Sequence, residues 1–155
     1  MSDSGKSILQ RITKYCADTE RSTHDVLSKL VSWGVPPEET EIILRKLRAE
    51  KFLDDKRYAN SYVTEKWNLD KWGKIKIENA LQQKNIDPSV IHDAMSIIDQ
   101  EEYMLGLNEL LEKKHKEVKS GNNMEDARRI MMFALSRGFE EELIQEWIEK
   151  QGFDS

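Results

Sequence analysis

Apolar residues recur along this chain at helical spacing, and three times the pattern halts at a turn, one apolar residue and a fresh helical run: Trp33-Gly34-Val35-Pro36, Lys84-Asn85-Ile86-Asp87 and Arg137-Gly138-Phe139-Glu140. With Gly34, Asn85 and Gly138 taken as equivalent, the intervals are 51 and 53 residues. Eight positions upstream stand Val26, Ile77 and Ile130, and four upstream stand Leu30, Leu81 and Ala134, both helical offsets. Downstream, Ile43-Leu44, Ala94-Met95 and Trp147-Ile148 share one offset. Val90-Ile91 and Leu143-Ile144 lie one turn earlier, where the first copy carries Glu39-Thr40 and matches less well. A fixed period of this size predicts units that bury each other's faces. The expected fold is all-α: three tandem three-helix repeats, 5–53, 54–98 and 99–152, forming an elongated, curved array.

The punctuation between apolar runs places the helices. In the first copy Ile8, Leu9, Ile12 and Cys16 form one stripe that breaks between Asp18 and Ser22. Ser22 or Thr23 then caps a helix burying Val26, Leu27, Leu30 and Val31, with Asp25 close to its positive end. Gly34 supplies a left-handed turn, and Pro37 opens a third helix running to about Glu50. In the second copy Asp54 or Asp55 caps a helix whose inner face is Tyr58, Ala59, Tyr62, Val63 and Trp67. Gly73 separates it from the helix of Ile77, Ala80 and Leu81, Asn85 takes the left-handed turn, and Asp87-Pro88 caps and opens the next helix. In the third copy Met104, Leu107, Leu110, Leu111 and Val118 point inward. Lys119-Ser120-Gly121-Asn122-Asn123 breaks that helix, and Asn123 caps the one carrying Ile130, Met131, Phe133 and Ala134. No segment alternates as a strand would.

Composition narrows the class. Hydrophobic residues make up 38% and charged residues 34%, the balance of a surface-rich helical protein with a thin core. No run approaches the roughly 18 apolar residues of a membrane span, and Met1-Ser2-Asp3-Ser4-Gly5-Lys6 lacks the apolar centre of a secretory signal, so a cytoplasmic protein is expected. Cys16 is the only cysteine, and His24, His92 and His115 are far apart. That leaves no disulfide and no zinc-like spacing, and Cys16 reads as a core residue. No phosphate loop, serine elbow or HExxH pair is present. The expectation is a protein without catalysis, metal or cofactor.

Charge is uneven. The net value is −5, but the first two thirds are near neutral while 99–155 holds fourteen acidic against eight basic side chains. At physiological salt the screening length is about 8 Å, so a local lysine cluster can face phosphates while distant carboxylates are screened.

The motifs carry a resemblance. Phe52-Leu53-Asp54-Asp55-Lys56-Arg57-Tyr58-Ala59 is similar to the aromatic-Leu-Asp-Asp-x-Arg-aromatic-Ala signature of the RecX family of bacterial regulators. Lys71-Trp72-Gly73-Lys74-Ile75-Lys76-Ile77-Glu78-Asn79-Ala80-Leu81 resembles its second signature, and Arg137-Gly138-Phe139 with Ile144 resembles its third-repeat ending. The resemblance spans about Ile8 to Gln151. It implies a non-enzymatic, monomeric protein lying in the groove of the RecA filament on single-stranded DNA, limiting filament growth, ATP hydrolysis and strand exchange in recombination, repair and the SOS response.

Two basic clusters are candidate contact surfaces. Lys71, Trp72, Lys74, Lys76 and Lys84 flank the helix that starts at Gly73. On a helical wheel Lys76 points away from Ile77, Ala80 and Leu81, Ile75 falls between the two faces, and Trp72 either stacks on a base or partner or seals a helix junction. The second cluster is Lys113, Lys114, Lys116, Lys119, Arg128, Arg129 and Arg137. Arginine grips phosphate bidentately, yet Glu109, Glu112, Glu117, Glu125 and Asp126 stand at pairing distance along the helices. Asp54 and Asp55 diverge by about 100° and read as caps, with an Asp54–Arg57 ion pair, and not as a metal site. An autonomous nucleic-acid binder and a helical adaptor for another protein are the competing functions.

Overall fold

The computed structural model describes residues 3–153, with side chains described from Ser7 onward. Met1 and Ser2, on which the reading of a missing leader partly rests, lie outside the described residues. Among the described residues there are nine helices and no strand: α1 (Asp3–Asp18), α2 (Thr23–Ser32), α3 (Pro37–Ala49), α4 (Asp55–Asn68), α5 (Lys74–Gln83), α6 (Pro88–Met95), α7 (Gln100–Val118), α8 (Asn123–Ser136) and α9 (Glu141–Lys150). No helix among them is long and apolar enough to cross a membrane. The chain is an all-α helical-repeat protein.

The three landmark turns share one geometry. Gly34, Asn85 and Gly138 have φ of 75°, 55° and 93°. In each, the residue after the landmark donates its amide N–H back to the helix: Val35 to the Leu30 carbonyl, Ile86 to Leu81 and Phe139 to Ala134, at 3.1, 3.5 and 3.2 Å. The landmark amides donate to Val31, Gln82 and Leu135 at 2.9, 3.0 and 2.9 Å. This double bond satisfies carbonyls that a helix end leaves open. The apolar residue that follows, Val35, Ile86 or Phe139, is buried in every case, so each turn also plugs its own core.

Packing divides the chain inside α4 and α5 into two compact units: the chain through Tyr62 with Leu81–Ala94, and Val63–Ala80 with the chain from Met95 onward. The core of the first unit gathers Ile12, Cys16, Val26, Leu30, Val35, Ile43, Leu44, Leu47 and Leu53. Burial raises the Cys16 thiol pKa above its ordinary value, as expected of an inert core cysteine. In the second unit Trp67, Tyr103 and Phe139 meet with ring centroids 5.1, 5.4 and 6.4 Å apart, and Ile77, Leu107, Leu111, Ile130 and Ile144 are fully enclosed.

Several local expectations change. Leu27 and Val31 are 40% and 63% exposed, because the short α2 has only a narrow buried stripe, Val26 and Leu30. On α7 the inward stripe is Tyr103, Leu107 and Leu111. Met104 turns outward, and Leu110 and Val118 are half-buried. The phenol of Tyr103 finds partners inside and so tolerates the interior. Asn122, not Asn123, caps α8 by accepting the Glu125 amide at 3.0 Å. Asp54 accepts the Arg57 backbone amide at 3.1 Å, while the Arg57 guanidinium pairs with Glu20 at 2.9 Å.

Gly34 and Gly138 are expected to respond differently to alanine. A Cβ at Gly34 meets nothing within 4 Å, so Gly34→Ala should cost only the left-handed backbone, roughly 1–2 kcal/mol. At Gly138 the Cβ would sit 2.3 Å from the Lys76 Cβ, and overpacking adds typically about 1–3 kcal/mol. Urea unfolding of the two variants measures the gap; equal losses would contradict the close packing at Gly138.

Candidate functional site

Helix α5 is preceded by Gly73, which has no side chain to cap it. Its first amides are taken instead by the third repeat: Gly73 N–H by the Arg137 carbonyl at 2.7 Å, Lys74 N–H by the Tyr103 hydroxyl at 3.0 Å, and Ile75 N–H by the Gly138 carbonyl at 3.0 Å. A Cβ on Gly73 would lie 2.2 Å from the Gly138 carbonyl carbon, so only glycine admits this backbone approach. Tyr103 in turn donates its hydroxyl proton to the Glu140 carboxylate at the start of α9. Burial, then the hydrogen bond to Glu140, raises the Tyr103 pKa well above that of a free phenol.

This junction fixes a surface of alternating cations and rings. The ammonium groups of Lys66 and Lys76 lie 4.6 and 4.3 Å from the Trp72 ring centroid. Lys76 packs its stem against Gly138, so it lies across the junction and does not project freely outward as the helical wheel predicts. Next in line, the Arg137 guanidinium and the Lys114 ammonium lie 5.1 and 4.7 Å from the Phe133 ring, and Arg137 Nη1 donates to the Asp70 carbonyl at 3.4 Å. Lys71 sits 4.5 Å over Trp67. Lys74 spans the Tyr103 ring at 4.5 Å and donates to Gln100 at 2.7 Å. Cation–ring contacts at these distances preorganise both partners, and Lys66 and Lys114 also pair with Asp70 and Glu117 at 3.1 and 3.8 Å.

The structure regroups the sequence candidates. Lys71, Trp72, Lys74 and Lys76 come together with Arg137 and Lys114, two members of the other cluster. Arg128 and Arg129 pair with Glu125 at 2.6 and 3.3 Å, and this pairing, led by the Arg128 hydrogen bond, lowers the Glu125 pKa. Lys113, Lys116 and Lys119 are exposed. Asp126 does not join the arginines: it is buried and accepts the Ser120 amide and hydroxyl at 3.2 and 2.7 Å, fastening the α7–α8 loop. Sequence reasoning missed Lys66 and took Phe133 for core; the four-residue spacing of Lys66 to Asp70, paired at 3.1 Å, was the available signal for Lys66. Ile75 is 44% exposed and borders this surface.

Lys84 belongs to the other unit. It pairs with Asp25, which also closes a capping box with Ser22 at the start of α2, each donating a backbone amide to the other's side chain at 3.0 Å. Asp55 accepts the neighbouring Thr23 amide at 2.7 Å, so the adjacent Asp54 and Asp55 serve two different helix ends. Among the described residues no three His, Cys, Asp or Glu side chains converge as a metal cluster. Burial works against ionised Asp25, but the hydrogen bonds from Lys84 and Ser22 and the Lys84 charge outweigh it and hold its pKa below the usual carboxylate value. Burial, followed by the Asp25 charge, pushes Tyr58 up to about 12.

A carboxylate with a lowered folded-state pKa contributes stability above the unfolded pKa, about 3.9 for Asp, and loses it as pH falls through the folded value. Lys84→Gln should therefore destabilise the protein at neutral pH, and the deficit should narrow below about pH 4 as Asp25 takes a proton. Chemical denaturation of both proteins across this range checks it, and a deficit indifferent to acid would show that Lys84 acts through packing alone.

Comparison with known proteins places this geometry in a known setting. The family model for the second three-helix domain of RecX matches residues 54–95, and that for the third three-helix domain matches 101–148. A regulatory protein RecX from Clostridium tetani (strain Massachusetts / E88) is 33% identical over 125 residues, covering 78% of this chain and 55% of the relative. The chain spans about half the length of the curated relatives it matches. A crystal structure of regulatory protein RecX superposes with TM-score 0.83 at 28% identity, over 96% of this chain and 72% of that one. RecX from Lactobacillus salivarius shares the fold with TM-score 0.84 at 23% identity, over 99% of this chain and all of the other.

Proposed function

This chain belongs to the RecX family of regulatory proteins, and we propose that it acts without catalysis on the RecA recombinase filament assembled on single-stranded DNA in the cytoplasm, restraining ATP hydrolysis and strand exchange and so tuning recombination, repair and the SOS response. One observation carries the assignment to a surface: the run Lys66–Trp72–Lys76 continued by Arg137–Phe133–Lys114. A nucleoprotein filament presents phosphates, base faces and carboxylates, and a surface that alternates cations with aromatic faces addresses all three. Within that run Lys66 pairs with Asp70 and Lys114 with Glu117, so Lys76 and Arg137 carry most of the contact; Arg128 and Arg129, which share Glu125 and lie over no ring of the run, are secondary. RecA on single-stranded DNA is thus the partner, with phosphate contact secondary to protein contact, and the protein works as a monomer.

Replacing Trp72 by Ala together with Lys76 by Glu should raise the concentration needed to inhibit RecA's DNA-stimulated ATPase by about tenfold or more, since base or ring stacking alone is worth about 1–3 kcal/mol. The Arg128→Glu/Arg129→Glu variant should inhibit nearly as well as the parent. Equal potency of all three proteins would remove this surface from the mechanism. Binding to free single strands, with log affinity falling at about −0.7 per phosphate against log salt and no preference for assembled RecA, would favour an autonomous nucleic-acid binder instead.

A further inference from the structure

Helices α7 and α9 enclose an open groove of about 590 Å³ whose lining includes Met104, Leu105, Leu143 and Trp147. Met104 and Leu105 are 36% and 63% exposed, an unusual place for two large apolar side chains in succession. The repeat itself shows that the fold does not need them. Aligning the buried residues Tyr103, Leu107 and Leu111 of α7 with Ala59, Val63 and Trp67 of α4 puts Asn60 and Ser61 where α7 has Met104 and Leu105. The corresponding face of α4 is polar; that of α7 is apolar. The rim is acidic: Glu101, Glu112 and Glu146 line the groove. Among the described lining residues the only cation is Lys150, and it pairs with Glu146 at 3.6 Å.

We infer that the α7–α9 groove is a docking site for a basic amphipathic helix of a partner protein. An apolar channel between two helices receives the apolar face of a third helix, read as anchors at i, i+3, i+4 and i+7. The carboxylates along the rim select lysine and arginine on the flanks of that helix and repel an acidic one. Met104 adds an unbranched, polarizable wall that adapts to different anchors. The groove shares no lining residue with the Trp72–Phe133 surface, although Gln100 at its rim accepts from Lys74 at 2.7 Å.

The test uses the full chain and a fluorescein-labelled peptide of about 15 residues, roughly four helical turns, with leucines on one face and lysines on the other. Anisotropy should show saturable one-to-one binding. Leu105→Lys, at a position 63% exposed, should weaken it by at least about tenfold, equivalent to about 1.4 kcal/mol, with urea unfolding matching the parent. A scrambled peptide of equal composition should bind no better than that variant, and Glu101→Gln/Glu112→Gln should lower affinity and flatten its salt dependence. The proposal is overturned by absence of saturable binding, by wild-type affinity in Leu105→Lys, or by equal binding of a peptide with glutamates in place of the lysines. Self-association of the chain that Leu105→Lys abolishes would also overturn it, giving the groove to a second copy. None of these readouts involves RecA, so they stand apart from the assignment of the filament surface.

Discussion

The backbone contact between Gly73 and Gly138 is the constraint on which the second unit rests. A helix start leaves amide donors open, and most are met by a local side chain, as Ser22 does for α2 and Asn122 for α8. Helix α5 has no such residue. Its donors are met by two carbonyls and a phenol from the third repeat, which requires the α8–α9 turn to come within backbone distance. Glycine at both positions makes that approach possible, and the left-handed φ of Gly138 aims its own carbonyl and that of Arg137 at α5. A local capping need is thereby turned into a tie between sequence-distant helices.

The same arrangement positions the cationic surface. Arg137 contributes its carbonyl to α5, its guanidinium to the Phe133 ring and a hydrogen bond to the Asp70 carbonyl. Lys76, two residues into α5, lies against Gly138 with its ammonium beside Trp72. The rings hold the long side chains in place, reducing the entropy that a partner would otherwise have to remove. In the first unit several charged residues are turned to structural work, Asp25 joining Lys84 and Ser22, Asp55 holding the start of α2 and Arg57 reaching Glu20, while Arg11 and Lys29 lie against the Trp33 ring and Arg21 over Tyr15.

Much of the fold was legible because its determinants are local. The turn at Gly34, Asn85 and Gly138 depends on residues within one helix end, and its signature, a residue tolerant of positive φ followed by a buried apolar one, is written in sequence. Misread positions share another character. Tyr103 is polar at its tip and apolar in its body, so the pattern ranked Met104 above it; the interior hydrogen bonds to Lys74 and Glu140 that make its burial favourable come from other helices. Arg57 pairs with Glu20 and not with Asp54 because side chains meet whatever tertiary packing brings within reach.

The sequence by itself determined the helices, the three equivalent turns and the family likeness, since these follow from helical periodicity, capping chemistry and motif spacing within short stretches of chain. Which lysines stand together was decided only by the tertiary structure. Lys84 left the first candidate cluster for Asp25, while Arg137, Lys114 and Lys66 joined it. The reason is physical: a charged side chain is long and flexible and its partner is chosen by proximity in space, which around Trp72 and Phe133 is set by the backbone approach of Gly73 to Gly138, a contact between two residues that have no side chain to announce it.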